Sequence, residues 1–187
     1  MTDTLKHLNR YSTPAAALCE PAPDDKQLRL ILKTALSAPD HGRLHPYRFI
    51  SIRGDARQKL SGIFGRATLM RDPDVEPAYL KKQKDKPLRS PLIVVVVAQL
   101  IASPKIPEIE QMLSAGAAAH NVLLASNALG FGSIWLTGAN AYDAYVCTEL
   151  GLEDNERIIG FIYIGTPSIE IPPRPIPEVS THHSKWE

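Results

Sequence analysis

The sequence predicts one domain of mixed helices and strands built around a single central strand. Leu92 to Ala98 reads Leu-Ile-Val-Val-Val-Val-Ala, and an apolar run that is continuous rather than alternating suits a strand covered on both faces. Glu108 to Leu129 gives the longest helix, with Ala115-Gly116-Ala117-Ala118-Ala119 at its middle and Gly130 where a C-terminal cap belongs. The small residues let another backbone approach closely. A length of 187 residues fills one core, or one protomer of a dimer that completes its core by association, so residues 1–187 read as one domain.

The other elements follow in order. Thr2 to Asn9 mixes polar and apolar positions as a short helix would, and Arg10-Tyr11-Ser12-Thr13-Pro14 ends it as a loop carrying a cation. Glu20-Pro21-Ala22-Pro23 leads into Asp24, an N-cap with Gln27 spaced for a capping box. Leu28, Ile31, Leu32 and Ala35 then recur at helical spacing until the chain nears Pro39. Phe49 to Ile52 alternates as a strand, and Arg53-Gly54-Asp55 is a turn into a helix through Leu60 and Phe64.

Residues 71–89 are charged and proline-punctuated, and read as a surface insertion, partly helical, on which Lys81, Lys82, Lys84 and Lys86 form a solvated face. A lid is the alternative role. Ser133 to Leu136 is a short strand, Tyr142 to Leu150 a helix, and Ile158 to Gly165 the last long strand. The tail 168–187 holds Pro172, Pro173, Pro175 and Pro177, which exclude helix and central strand. It is a loose end or an arm along a neighbouring subunit, and Trp186 favours the arm.

Composition narrows the partners. Lys and Arg total 21 against 20 Asp and Glu, so no global field draws the chain to nucleic acid or an anionic membrane, and any anion site is local. Cys19 and Cys147 are far apart and lack Cys-x-x-Cys spacing, which argues against a disulfide framework or thiolate metal site. Lys6, His7, Asn9 and Arg10 interrupt any export core, and Leu92–Ala98 is too short to span a bilayer. The expectation is a soluble cytoplasmic protein.

Chemistry concentrates where the first long helix stops. Ser37-Ala38-Pro39-Asp40-His41-Gly42-Arg43-Leu44-His45-Pro46-Tyr47-Arg48-Phe49 needs only turn residues to connect helix to strand, yet it adds two histidines, two arginines and a tyrosine. An ordinary polar turn and a binding junction both fit that stretch alone. Gly130-Phe131-Gly132 lacks the third glycine and the following helix of a dinucleotide fingerprint. No Gly-x-x-x-x-Gly-Lys-Ser/Thr or Gly-x-Ser-x-Gly occurs either. His41 and His45 have His-x-x-x-His spacing, but Pro39, Gly42 and Pro46 oppose the helix that would aim both at one metal.

Taken in order, Asn9-Arg10-x-Ser12, Glu20-Pro21-x-Pro23, Ala38-Pro39-Asp40-His41, His45-Pro46-Tyr47-x-Phe49, Ser114-Ala115-Gly116, Gly130-Phe131-Gly132-x-Ile134-Trp135 and Gly160-Phe161-x-Tyr163-x-Gly165-Thr166-Pro167 resemble the nitroreductase family of flavoproteins. Within it the chain is similar to the small bacterial NAD(P)H nitroreductase branch. The resemblance runs from about Leu5 to Pro167. It implies an α+β fold with a central, mostly antiparallel sheet flanked by helices, and a homodimer with FMN bound noncovalently between subunits. It also implies ping-pong transfer of reducing equivalents from NADH or NADPH to a small-molecule acceptor such as a nitroaromatic or quinone.

The same resemblance assigns cofactor-holding residues. Arg10, Tyr11 and Ser12 match the first FMN segment, where a guanidinium meets the phosphate, a role that suits its charged fork. Tyr11 stands where the family often has a second Arg, leaving Arg174 and Arg43 as supplementary cations. Ser37 and His41 match positions that touch the FMN of the partner subunit, and His45-Pro46-Tyr47 replaces a common Gln-Pro-Trp. Trp135, Leu136 and Thr137 match the segment whose backbone borders the isoalloxazine, with Leu136 where close relatives often carry Arg. No metal site and no acid or base residue is implied, since protons can come from water. A flavin-binding relative with another reaction, and a metal-dependent hydrolase on Asp40, His41 and His45, are the competing readings.

Overall fold

Strand β3 (Leu92–Gln99) forms the centre of the protein: every residue from Leu92 to Ala98 is 0% exposed. The computed structural model describes Leu8, residues 12–172 and residues 175–187. The expected first helix, apart from Leu8, and with it Arg10, Tyr11 and Arg174, lie outside the described residues.

Strands β2 (Tyr47–Arg53) and β5 (Glu156–Pro167) flank β3, and both pairings are antiparallel. Strand β4 (Gly132–Leu136) pairs antiparallel with β5, and the two-residue β1 (Leu18–Cys19) pairs with its far end. The result is a five-stranded antiparallel sheet with helices on its faces, an α+β fold.

Side-chain alternation along β3 assigns each helix to a face. Leu92, Val94 and Val96 meet Leu28, Ile31 and Ala35 of α1 (Asp25–Ala35). On that face they also meet Ala119, Val122 and Leu123 of the long helix between β3 and β4, Glu108–Ala128. Ile93, Val95 and Val97 meet Leu60, Phe64 and Ala67 of α2 (Ala56–Arg71), with Val146 behind them. Two-sided burial explains why the run is continuous, since each enclosed Val or Ile contributes about 1.5–3 kcal/mol.

Local signals set most boundaries. The Asp24 carboxylate accepts from Gln27 N at 2.7 Å and the Gln27 side chain accepts from Asp24 N at 2.9 Å, completing the expected capping box. Residues 71–89 hold α3 (Pro77–Asp85) and a 3-10 turn at Lys86–Leu88. Gln83 and Pro87 are buried against the body, and the Lys84 stem fills the space left by Gly65, where a Cβ would lie 2.8 Å from its Cγ. The Glu108–Ala128 helix is α4, and the helix expected from Tyr142 is the shorter α5 (Ala144–Glu149), capped by Asp143 accepting from Val146 N. In the tail, a 3-10 turn spans Val179–Thr181, and Ile176, Val179 and Trp186 are exposed.

One buried charge ties three strands together. Glu156, 4% exposed, accepts from Arg48 Nε and Nη2, both at 2.7 Å, from Gln99 Nε2 at 2.8 Å and from Glu153 N at 3.1 Å. The Arg48 fork, opposed by burial and helped by the other donors, brings its carboxyl down to about 2. Among the described residues no helix is long and apolar enough to cross a membrane.

Candidate functional site

The junction between α1 and β2 is held by α4. Ser114 Oγ donates to Pro39 O at 2.7 Å, and Glu110 Oε2 lies 2.6 Å from His41 Nδ1. A Cβ on Gly42 would come 2.4 Å from Ile106 Cδ1, just before α4. Gly42, Arg43 and His45 all have positive φ, of 74°, 57° and 49°, and for the two non-glycine residues that backbone is strained. The Asp40 carboxylate opposes the strain by accepting from His45 N at 2.7 Å. Ser37 is exposed and donates through Oγ to Thr34 O at 2.7 Å. Burial, with Asp40 nearby, pushes the Tyr47 phenol up.

Asp40, His41 and His45 do not converge. His41 turns to Glu110 while His45 Nδ1 lies 3.4 Å from Asp40, and among the described residues no three His, Cys, Asp or Glu side chains could share a metal ion. The loop is a 3-10 turn at His41–Arg43, so the His-x-x-x-His spacing never lies on an α-helix face.

The second part of the site is the end of β4. Between Val96 and Val97 the β3–β5 register slips, with Gly160 opposite Val96 and Ile158 opposite Val97, so Ile159 bulges. Its carbonyl accepts from Trp135 Nε1 at 3.2 Å. The indole lies over Gly160, where a Cβ would be 2.0 Å from Nε1, and reaches Gly116 of α4. Trp135 is therefore a packed anchor. Leu136 and Thr137 are exposed beyond it. Ser133 O accepts from Thr13 N at 3.1 Å on the side away from β5. Trp135, two residues on, turns its backbone groups to the same open edge.

Beyond Thr137 the chain makes a corner that sequence reasoning missed. Gly138 has φ 69° and ψ −175°, backbone open to glycine, and a Cβ there would lie 3.9 Å from Lys86 Nζ. Lys86 is half-buried, unlike the exposed Lys81 and Lys82, so it departs from the expected solvated face. Burial lowers its ammonium pKa, and Arg89, Lys82 and Arg71 lower it further. Arg71 is engaged elsewhere, donating to Asp143 and, at 2.9 Å, to Asn140 Oδ1. A cleft of about 430 Å³ opens beside the corner, lined by Arg71, Val75, Glu76, Tyr79 and Ala139 among others. The readable signals were a glycine directly after Trp-Leu-Thr and a lysine fixed before Pro87.

Of the expected cofactor residues, Ser12 adjoins Thr13, which donates to Ser133 O, so Ser12 lies next to a residue paired with the strand that carries Trp135 and Leu136. Ser37 and His41 sit on the α4 side, and no hydrogen bond joins them to Trp135, Leu136 or Thr137. Two larger clefts, of about 510 and 560 Å³, are lined by none of these residues.

The nitroreductase family model matches residues 9–166, which include every expected site segment except Arg174. The chain belongs to the nitroreductase family. By that membership it is an oxidoreductase. YdjA of Escherichia coli K12, provisionally named an NAD(P)H nitroreductase, is 36% identical over 163 residues, 87% of each chain. A Haemophilus influenzae protein with the same provisional name is 36% identical over 150 residues, 80% of each. Among solved structures, a nitroreductase-like family protein from Bacillus cereus has a TM-score of 0.84 at 21% identity, covering 100% of this chain and 97% of its own. A provisionally named nitroreductase of Desulfovibrio desulfuricans in complex with FMN has a TM-score of 0.76 at 22% identity, covering 100% and 99%. These two share the nitroreductase fold.

Proposed function

We propose that this nitroreductase-family chain is an FMN-dependent enzyme that takes reducing equivalents from NADH or NADPH and passes them, by a ping-pong sequence, to a nitroaromatic, quinone or related acceptor. It works as a homodimer in which each single-domain protomer contributes to both cofactor sites. The observation that carries this reading is the end of β4, where the anchored Trp135 turns its backbone to an open strand edge and exposed Leu136 and Thr137 follow.

The residues present fit FMN. An open-edge amide at Trp135 and the Thr137 hydroxyl suit the polar rim of a flavin, and exposed Leu136 suits its apolar ring. Ser37 and His41 add polar groups from the other segment, and Arg10, with Arg174 in support, is assigned the phosphate. Bound FMN supplies hydride acceptance and donation. The chain's own residues hold and orient it: the indole, fixed by Gly160 and Ile159 O, sets where the Leu136–Thr137 backbone lies.

Two features support the homodimer. Ile109, Met112 and Leu113 expose an apolar face on α4 at 61%, 38% and 65%, and such a contiguous patch marks an association surface. The Ser37–His41 segment is carried by that same helix and lacks bonds to Trp135–Thr137 of its own chain, as expected of a segment that serves the other protomer. The same geometry explains why the clefts of one chain miss the assigned residues.

Purified protein should be yellow, release FMN on heating, and give parallel initial-rate lines with a nicotinamide nucleotide and a nitroaromatic. Arg10→Ala should weaken FMN retention at least tenfold, the value of one charged contact of about 1.5–3 kcal/mol. Colourless protein that takes up no FMN from excess would overturn the reading, and unchanged FMN affinity in Arg10→Ala would remove Arg10 from it.

A further inference from the structure

The cleft of about 510 Å³ is built by parts of the fold that the proposed reaction does not use. It opens between the first turns of α4, helix α5 and the start of β5, and none of the assigned cofactor residues lines it. Leu100, Met112, Ala141, Leu152 and Ile158 give it apolar walls, and Cys147 and Thr148 of α5 border the same space. Tyr142 also lines it and is 80% exposed. A concave space of this size with apolar walls suits a small organic molecule.

Its charges are one-sided. The charged lining residues are Glu108, Glu153, Asp154, Glu156 and Arg157. The Glu156 carboxylate is met by the Arg48 fork, both contacts at 2.7 Å. Arg157 donates to two carbonyls, Asp154 O at 2.6 Å and Glu156 O at 2.7 Å, and pairs with no carboxylate. Glu108, Glu153 and Asp154 are exposed, and among the described residues none of their carboxylates forms an ion pair. Three open carboxylates therefore stand against one guanidinium, which leaves the cleft net negative. A positive ligand gains from that surplus, and the exposed Tyr142 ring adds a face on which an ammonium can rest. Met112 stands one turn before Gly116, the α4 residue that the Trp135 indole reaches, so the cleft adjoins the candidate cofactor site without sharing its residues.

We propose that this cleft is a second ligand site, separate from the cofactor site, that takes small organic cations. The ammonium group sits among Glu108, Glu153, Asp154 and the Tyr142 ring, and an aromatic or alkyl body lies along Leu100, Met112, Leu152 and Ile158. Binding is noncovalent and needs no flavin, so the site stands apart from the proposed reaction.

The test uses the whole chain as purified, in its associated state, because Met112 also belongs to the apolar patch on α4. Three probes share one body: 4-phenylbutylamine, which is positive near neutral pH, the uncharged 4-phenylbutan-1-ol, and the anionic 4-phenylbutanoate. Ligand-observed NMR should find the amine bound about tenfold or more tighter than the alcohol, and the acid weakest. Replacing Glu108→Gln, Glu153→Gln and Asp154→Asn together should bring amine and alcohol within about threefold and leave the alcohol almost unchanged. Salt at about 0.3 M should narrow the same gap in the parent protein. Ala144→Phe, which fills the cleft from an exposed position, should weaken the amine and the alcohol alike. Occupancy is located by alkylation: the amine should slow N-ethylmaleimide labelling of Cys147 and leave exposed Cys19, outside the cleft, as it was. Equal affinity for amine and alcohol in the parent, an amine preference that survives the triple substitution, or labelling of Cys147 that the amine does not slow, would overturn the site.

Discussion

Glu156 and Lys86 are both charges drawn into the body of the protein, and the fold treats them in opposite ways. Glu156 accepts four hydrogen bonds, two of them from the Arg48 fork, and its carboxyl is brought down to about 2. Lys86 has three cations around it, and its ammonium is pushed in the unfavourable direction. A charge whose partners are built in holds strands together. A charge kept among like charges costs the folded state unless an anion meets it. The contrast separates a charge that braces the fold from one left open by counting what each one touches.

The largest test of that contrast is Glu156→Gln. Removing the carboxylate leaves the Arg48 fork without its anionic partner, which should cost about 2–3 kcal/mol in denaturant unfolding. The pH dependence has a fixed sign. Because the folded carboxyl titrates at about 2 rather than 4.5, its contribution is complete above about 4.5 and is lost as pH falls toward 2. Glu156→Gln should flatten that acid-side slope. A variant as stable as the parent at pH 7 would show that the four contacts do not hold the strands.

Next in size is Gly160→Ala. The new methyl would occupy the space of Trp135 Nε1, 2.0 Å away, and must displace the indole from the bulge. Overpacking of this kind costs about 1–3 kcal/mol. It sharpens the comparison, because Trp135 positions the strand end that leads to the Lys86 corner. Its fluorescence should shift to the red, against a background from the fully exposed Trp186. An unchanged spectrum would mean that the indole is not what fixes that strand end.

Much of the fold was legible because the signals were local or periodic. Leu92–Ala98 announced a strand covered on both faces, and Asp24 with Gln27 announced a helix start. Strand pairing was not legible, nor was β1, whose two residues make sense only beside Thr166 and Pro167. For the candidate site, family motifs supplied Ser37, His41 and Trp135–Thr137 as expectations, but they gave no sign that Lys86 is half-buried. In sequence it is one of four lysines on a polar stretch, and only the packing of α3 on α2 separates it from Lys81 and Lys82. Gly42 and Gly138 likewise read as turn residues until the structure set them against Ile106 and Lys86.

The smallest expected effect belongs to Glu110→Gln. His41 and Glu110 lie 2.6 Å apart but are 61% and 43% exposed, so water competes for the pair and it contributes below about 1 kcal/mol. If the α1–β2 junction is held instead by Ser114 on Pro39 and by Ile106 on Gly42, unfolding of Glu110→Gln should change by less than about 0.5 kcal/mol. FMN retention then becomes the informative measurement, because the substitution frees the His41 ring without moving the loop that carries it. A loss well above 1 kcal/mol would show that this exposed pair braces the junction, and the division between structural and open charge drawn from Glu156 and Lys86 would not extend to the surface.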